Sequence, residues 1–154
     1  RQRQLILFYH FNRHVMKKKL DNILLIDDDD DCNYFHKRLL HEMNCAENVE
    51  VTTDGQEALD YLTTKVSDDR YPQPQIIFLD INMPVMDGWE FMEEYKKLDA
   101  YQKGEIVLIM LTTSLNPDDK ARASEFEDIK DFQNKLLTRK RMEEIFEEHF
   151  PEYV

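Results

Sequence analysis

Acidic residues end two apolar runs in this sequence. Asp27 and Asp28 follow Asn22-Ile23-Leu24-Leu25-Ile26, and Asp80 closes Ile76-Ile77-Phe78-Leu79. A hydroxyl pair, Thr112 and Thr113, ends the run at 106–111, and Lys135 follows a weaker run near 128–133. Brought onto one rim, these groups would form a cluster of three carboxylates, a hydroxyl and an ammonium. Close carboxylates repel each other by about 4 kcal/mol per pair at an effective dielectric near 20. Either their pKa values rise or a cation sits among them. A hard dication with oxygen ligands suits the set, and magnesium prefers one or two carboxylates completed by water and substrate oxygens. A carboxylate in that setting can attack phosphorus and carry an aspartyl phosphate. Lys135 would then offset charge on the phosphoryl oxygens, and the Thr112 hydroxyl would donate to one of them.

Convergence of these residues requires a particular order of elements. The runs at 22–26, 76–79 and 106–111 are short and apolar throughout, as in strands buried on both faces. Val49-Glu50-Val51 with Thr52 and Thr53 adds a strand, and 128–133 a fifth. Between them lie helical patterns. Phe35, Leu39, Leu40 and Met43 share helical spacing, with Asp30 or Asp31 available as N-cap. Asp54-Gly55 turns into a helix carrying Ala58, Leu59, Tyr61 and Leu62. A loop at 67–75 contains Pro72 and Pro74, and a turn at 84–88 leads into a helix with Trp89, Phe91, Met92, Tyr95 and Leu98. Pro117 opens a short helix at its favoured first position, and Met142, Ile145, Phe146 and His149 mark the last one. Five βα repeats predict an α/β fold, a doubly wound parallel sheet covered on both faces. Right-handed crossovers place its ligands at the carboxyl ends of the strands. The acids, threonines and lysine are found there.

The bulk composition sets outer limits. The chain has 154 residues, enough for one domain with its own core. Asp plus Glu number 32 against 20 Lys plus Arg, a formal net charge of -12. So acidic a surface repels phosphate backbones, and direct nucleic-acid binding is not expected. Cys32 and Cys45 have neither zinc nor redox-motif spacing, which fits a reducing, cytoplasmic setting. Residues 1–15 hold a short apolar patch broken by His10, Asn12 and Arg13, too short to span a membrane and without a signal-peptide cleavage pattern. Met16-Lys17-Lys18-Lys19 reads as a natural start, which would make 1–15 an extension; the alternative is a segment that packs on the domain or on a partner. The expected division is therefore an N-terminal extension at 1–19 and one domain at 20–154.

The pair Asp27-Asp28 after a strand, the run Asp80-Ile81-Asn82-Met83-Pro84-Val85-Met86-Asp87-Gly88, Thr112 after a strand, and Lys135 together resemble the receiver domain of response regulators in two-component signalling. The Asp80 to Gly88 run is the specific part, and the likeness covers about residues 20–149. It implies a flavodoxin-like sheet with strand order 2-1-3-4-5. It also implies that Asp80 is the phosphoacceptor, that Asp28 ligates magnesium directly, and that Asp27 does so directly or through water. Asn82 would offer its backbone carbonyl to the metal. Thr112 would be the switch hydroxyl, Lys135 its ion-pair partner, and Phe132 the aromatic that swings inward on activation. Asn82 and Ser114 fall where the family tunes autodephosphorylation. The phosphoryl donor would be a histidine kinase or a histidine phosphotransfer protein. The protein would be a stand-alone acceptor and not an enzyme, acting on an unknown downstream protein as a monomer or phosphorylation-dependent dimer, with no membrane association.

One residue departs from the pattern. Receivers usually follow the lysine with a cis proline, whereas Leu136 follows Lys135 here. A non-proline cis bond costs about 3 kcal/mol, so a trans peptide and a reshaped loop are expected. Three plainer readings stand beside the site. Asp29, Asp30 and Asp31 suit helix capping. The five histidines follow no metal spacing and read as solvated, and the aromatic stripe of Trp89, Phe91 and Tyr95 reads as packing. Two other functions compete. A metal-dependent phosphohydrolase would carry a second carboxylate at position 82, where Asn82 stands. A receiver-shaped scaffold acting without phosphate has Leu136 as its sequence support.

Overall fold

The computed structural model describes residues 16–103, 107–113 and 116–154. The extension at 1–15, Ile106 and Ser114 lie outside the described residues. Among the described residues five strands alternate with helices: β1 (Leu20–Ile26), α1 (Asp30–Met43), β2 (Ala46–Thr52), α2 (Gly55–Thr63), β3 (Ile76–Asp80), α3 (Gly88–Tyr95), α4 (Ala100–Lys103), β4 (Val107–Thr112), α5 (Pro117–Ala123), β5 (Ile129–Asn134) and α6 (Arg139–His149). A 3-10 turn at Pro151–Tyr153 follows. The strands form one parallel sheet in the order β2-β1-β3-β4-β5, as the repeat pattern and the resemblance predict.

Successive strand residues face opposite sides, so each buried strand feeds two cores. Leu24 and Ile26 of β1 pack with Ala58 and Leu62 of α2 and with Phe91, Met92 and Tyr95 of α3. Ile23 and Leu25 pack with Leu40 of α1 and with Met142, Ile145 and Phe146 of α6. All five residues of β3 are buried, which is why its run reads as continuously apolar until the acid at its end.

Helix ends are set by side-chain caps. Asp29, not Asp30 or Asp31, caps α1, accepting the Cys32 N–H at 3.0 Å. Asp30 and Asp31 sit in the first turn, where they oppose the helix dipole favourably. Asp87 and Glu90 form a capping box on α3. Asn116 caps α5, with Pro117 in the first turn as expected.

Two sequence expectations need correction, and one element is new. The buried face of α1 is Asn33, His36 and Leu40, while Phe35 is 57% exposed. The third helix stops at Tyr95 and leaves Leu98 in the connection that follows. The short α4, which carries no buried residue and therefore no apolar signature, was not anticipated. At the start of the described chain, Met16 packs against the core beneath α6, and the Lys17 N–H donates to the Tyr153 carbonyl at 2.8 Å. Residues 16–19 are thus joined to the domain that the sequence begins at 20. No described helix is long and apolar enough to cross a membrane.

Candidate functional site

The parallel register brings β1, β3, β4 and β5 to a common edge, and Asp27, Asp80, Thr112 and Lys135 stand at or just beyond their carboxyl ends. Asp27 is buried, and its backbone and one carboxylate oxygen are held by hydrogen bonds. Its N–H donates to the Thr52 carbonyl at 3.0 Å, and its own carbonyl accepts from the Asn33 side-chain amide at 2.7 Å. Its Oδ1 accepts from the Asp29 N–H at 2.9 Å. Asp80 is 3% exposed. Carboxylate oxygens of Asp27, Asp28 and Asp80 all lie within 4.8 Å of one another, with Asp28 the exposed member.

Lys135 reaches this cluster from just beyond β5, the strand at one edge of the sheet. Its ammonium lies 3.0 Å from Asp27 Oδ1 and 3.3 Å from Asp80 Oδ2, with 8% of the side chain exposed. Burial works against the ammonium, but the two carboxylates outweigh it and hold its pKa above the ordinary lysine value. Burial also acts on Asp80, and the Asp27 charge adds to it. Together they lift Asp80 to about 6 although Lys135 opposes them. One ammonium does not neutralise the site.

The carboxylate arrangement fits a divalent cation. Asp27 Oδ2 is buried and has no hydrogen-bond partner among the described residues. Such an atom loses solvation unless something else faces it. An all-oxygen set of three acids, two of them buried, is the donor chemistry a hard cation takes. A second group of possible ligands, Asp131, Glu148 and His149, lies elsewhere. There the Arg141 guanidinium already pairs with Asp131 at 2.7 Å, a charge that opposes a cation.

The remaining predicted residues divide. Thr112 is 2% exposed, and its carbonyl accepts the Lys135 N–H at 2.6 Å, so Thr112 and Lys135 share one backbone link. Asn82 is exposed just past β3. Phe132 is half-buried on β5 against the α2–α3 side of the core. Gly88 is fixed by close approach: a Cβ there would meet the Asp80 carbonyl oxygen at 2.5 Å, and its N–H donates to the Ile81 carbonyl at 2.8 Å. Only a glycine lets α3 start so near the end of β3, which gives the Asp80 to Gly88 run a steric reason.

Two features differ from the sequence reading or extend it. The Lys135–Leu136 peptide is trans, as expected, but Leu136 takes φ 69°, in the left-handed region. His36 is not solvated. It is 2% exposed, and its Nε2 accepts the Leu137 N–H at 3.1 Å. Lone-histidine spacing gave no sign of this, but position 36 lies one turn after Asn33 on the same helix face.

The model of the response regulator receiver domain matches residues 23–147. The chain belongs to that family. Among its relatives, the probable methanogenesis regulatory protein FilR2 of Methanothrix harundinacea is 31% identical over 101 residues, 66% of this chain and 63% of that protein. The response regulator Rcp1 of Synechocystis is 29% identical over 97 residues, 63% of this chain and 65% of Rcp1. The chain thus spans somewhat less than two thirds of the length of both. A two-component response regulator from Cytophaga hutchinsonii shares the fold with a TM-score of 0.77 at 29% identity, covering 87% of this chain and 99% of that one. The Mn(2+)-bound form of Rcp1 matches with a TM-score of 0.66 at 26% identity, covering 87% and 96%. The receiver fold and strand order expected from the sequence are those found.

Proposed function

We propose that this receiver accepts a phosphoryl group on Asp80 from a phosphohistidine of a sensor kinase or phosphotransfer protein. The observation that carries the reading is Asp80 itself, buried at the end of β3 beside the Asp27 carboxylate, with the Lys135 ammonium in contact with both. Asp27, Asp28 and Asp80, with the Asn82 backbone carbonyl, would hold magnesium. The manganese-bound Rcp1 structure and the partnerless Asp27 Oδ2 support a divalent ion there. When bound, the ion supplies positive charge against the carboxylates and the transferring phosphoryl oxygens.

The chain's own groups account for the rest. An Asp80 carboxylate oxygen forms the new bond to phosphorus as the phosphorus–nitrogen bond of the donor breaks, and the imidazole leaves with the electron pair and takes up a proton. Lys135 moves from pairing with the free carboxylates to pairing with the phosphoryl oxygens. The Thr112 hydroxyl donates to another of them. Because Thr112 and Lys135 share a backbone hydrogen bond, the two respond together, and Phe132 on β5, three residues before Lys135, carries the change to the face of α5, β5 and α6. Asn82 and Ser114 set how fast water removes the group. Asp80 on this reading is a stoichiometric acceptor in the cytoplasm. The output is binding to another protein, dimerisation or onward relay of the phosphoryl group.

Incubation with a small acyl-phosphate donor and magnesium, followed by hydroxylamine, tests this chemistry. The expected adduct is an acyl phosphate, formed with magnesium and removed by hydroxylamine. An adduct stable to hydroxylamine contradicts the aspartyl-phosphate reading, and no adduct at all favours a scaffold that works without phosphate. The scaffold reading takes its support from Leu136, but Lys135 still reaches both Asp27 and Asp80 despite that residue.

A further inference from the structure

The connection from β5 to α6 carries the lysine of the site, and its backbone is pinned at two points. The Lys135 N–H donates to the Thr112 carbonyl at 2.6 Å, and the Leu137 N–H donates to His36 Nε2 at 3.1 Å. Between them Leu136 has φ 69° and a side chain that is 56% exposed. A left-handed conformation is unfavourable for leucine, and an exposed side chain has little packing with which to hold it. The constraint that keeps this segment in place therefore comes from outside the segment. His36 is the group positioned to supply it.

Its chemistry suits the task. Nε2 accepts a backbone N–H, so the ring is neutral and its proton is on Nδ1. Burial favours that neutral form and lowers the pKa of His36, more than the nearby Asp27 charge raises it. One turn earlier on the same face, Asn33 donates to the carbonyl of Asp27. Helix α1 thereby grips the backbone of both sides of the buried ion pair, Asp27 through Asn33 and the Lys135 segment through His36. The hydrogen bond from Leu137 to His36 joins residues 101 apart in sequence, and Leu137 is itself buried.

The geometry points to His36 as a positioning residue for Lys135: its imidazole clamps the trans connection at the place where other receivers have a proline after the lysine. His36 does not touch the reacting atoms. Its effect on phosphoryl transfer rests on the phosphoacceptor reading above, whereas its effect on where Lys135 sits does not.

The test compares His36→Leu, which removes the acceptor and keeps bulk, with His36→Gln, whose amide oxygen can reach the position of Nε2. Two readouts are taken on folded protein, as checked by circular dichroism. One is the Lys135 side-chain ammonium 1H–15N cross-peak, identified by its loss in Lys135→Met. The other is the rate of phosphorylation by an acyl-phosphate donor. The cross-peak, which needs a buried and bonded ammonium, is expected in the wild type and in His36→Gln and lost in His36→Leu. The rate is expected to fall about tenfold in His36→Leu and to recover to within about threefold in His36→Gln, the scale of a small misplacement of a catalytic group. If His36→Leu does not fold, His36→Asn, whose oxygen stops short of Leu137, takes its place. A cross-peak that survives removal of the acceptor, or one that His36→Gln fails to retain, overturns the proposal. A wild type that takes no phosphoryl group contradicts the phosphoacceptor reading instead, and the cross-peak still decides the role of His36.

Discussion

The Lys135 ammonium lies 3.3 Å from Oδ2 of Asp80, two residues 55 apart in sequence that meet because β5 and β3 end on the same edge of the sheet. The same ammonium lies 3.0 Å from Asp27. One cation thus serves two buried carboxylates, and the balance of charge around Asp80 leads to most of what can be measured.

Removing that cation should leave the carboxylates hungrier for another. In Lys135→Met the repulsion among Asp27, Asp28 and Asp80 is no longer offset, so manganese affinity should rise by roughly threefold to tenfold at low ionic strength. Titration followed by Trp89 fluorescence or calorimetry reads this directly. Trp89 is buried on α3, which starts from the turn after Asp80. Asp28→Ala should weaken or abolish the same response.

The raised pKa of Asp80 makes the metal-free protein sensitive to pH in a definite direction. Folded Asp80 holds its proton to about 6, against 3.8 for an ordinary aspartate. Ionising it therefore lowers stability as pH rises through about 6, and the loss is relieved as pH falls back toward 3.8. Asp80→Asn should be more stable than wild type at pH 7.5 without metal, by up to roughly 3 kcal/mol. The gap should narrow on acidification. Urea unfolding of both proteins between pH 4 and pH 8 measures it, and a gap that widened in acid would contradict the assigned electrostatics.

Gly88→Ala tests the steric half of the Asp80 to Gly88 run. The added methyl meets the Asp80 carbonyl oxygen and the Ile81 backbone, neither of which can move as a flexible side chain would. A stability loss of about 1–3 kcal/mol is expected, with slower phosphorylation because the strand end is displaced. Denaturant midpoints and acyl-phosphate kinetics report the two effects separately.

Leu136 offers a test of opposite sign. Leu136→Gly relieves a left-handed backbone that leucine adopts poorly, and the exposed side chain gives up little burial, so stability should rise by up to about 1 kcal/mol. Leu136→Pro fixes φ near −65°, incompatible with the observed 69°, and should destabilise the domain. Restoring the usual proline alone is expected to do harm here, which thermal unfolding of the two variants can check.

The parts of this fold legible in the sequence are those written in short, continuous patterns. The β3 run ending in Asp80 and the β1 run followed by Asp27 announce buried strands and their carboxylate rim together, because full burial makes a run apolar and makes the acid at its end conspicuous. The Asp80 to Gly88 turn is readable for a similar reason, since the close approach of α3 admits only glycine at its start. What could not be read depends on contacts between distant segments. His36 looked incidental because its partner is Leu137, and Phe35 looked like core because helical spacing alone does not say which neighbouring face a side chain meets. Polar residues won the buried face of α1 since Asn33 and His36 find partners there. Asp29 rather than its two neighbours became the cap through a one-residue difference in where the helix begins, beyond the resolution of pattern reading.

The central claim is that Asp80 accepts the phosphoryl group, and intact-mass measurement after incubation with an acyl-phosphate donor and magnesium tests it most directly. A gain of one phosphoryl group in the wild type, absent in Asp80→Asn, is the expected result. The same gain persisting in Asp80→Asn would contradict the assignment.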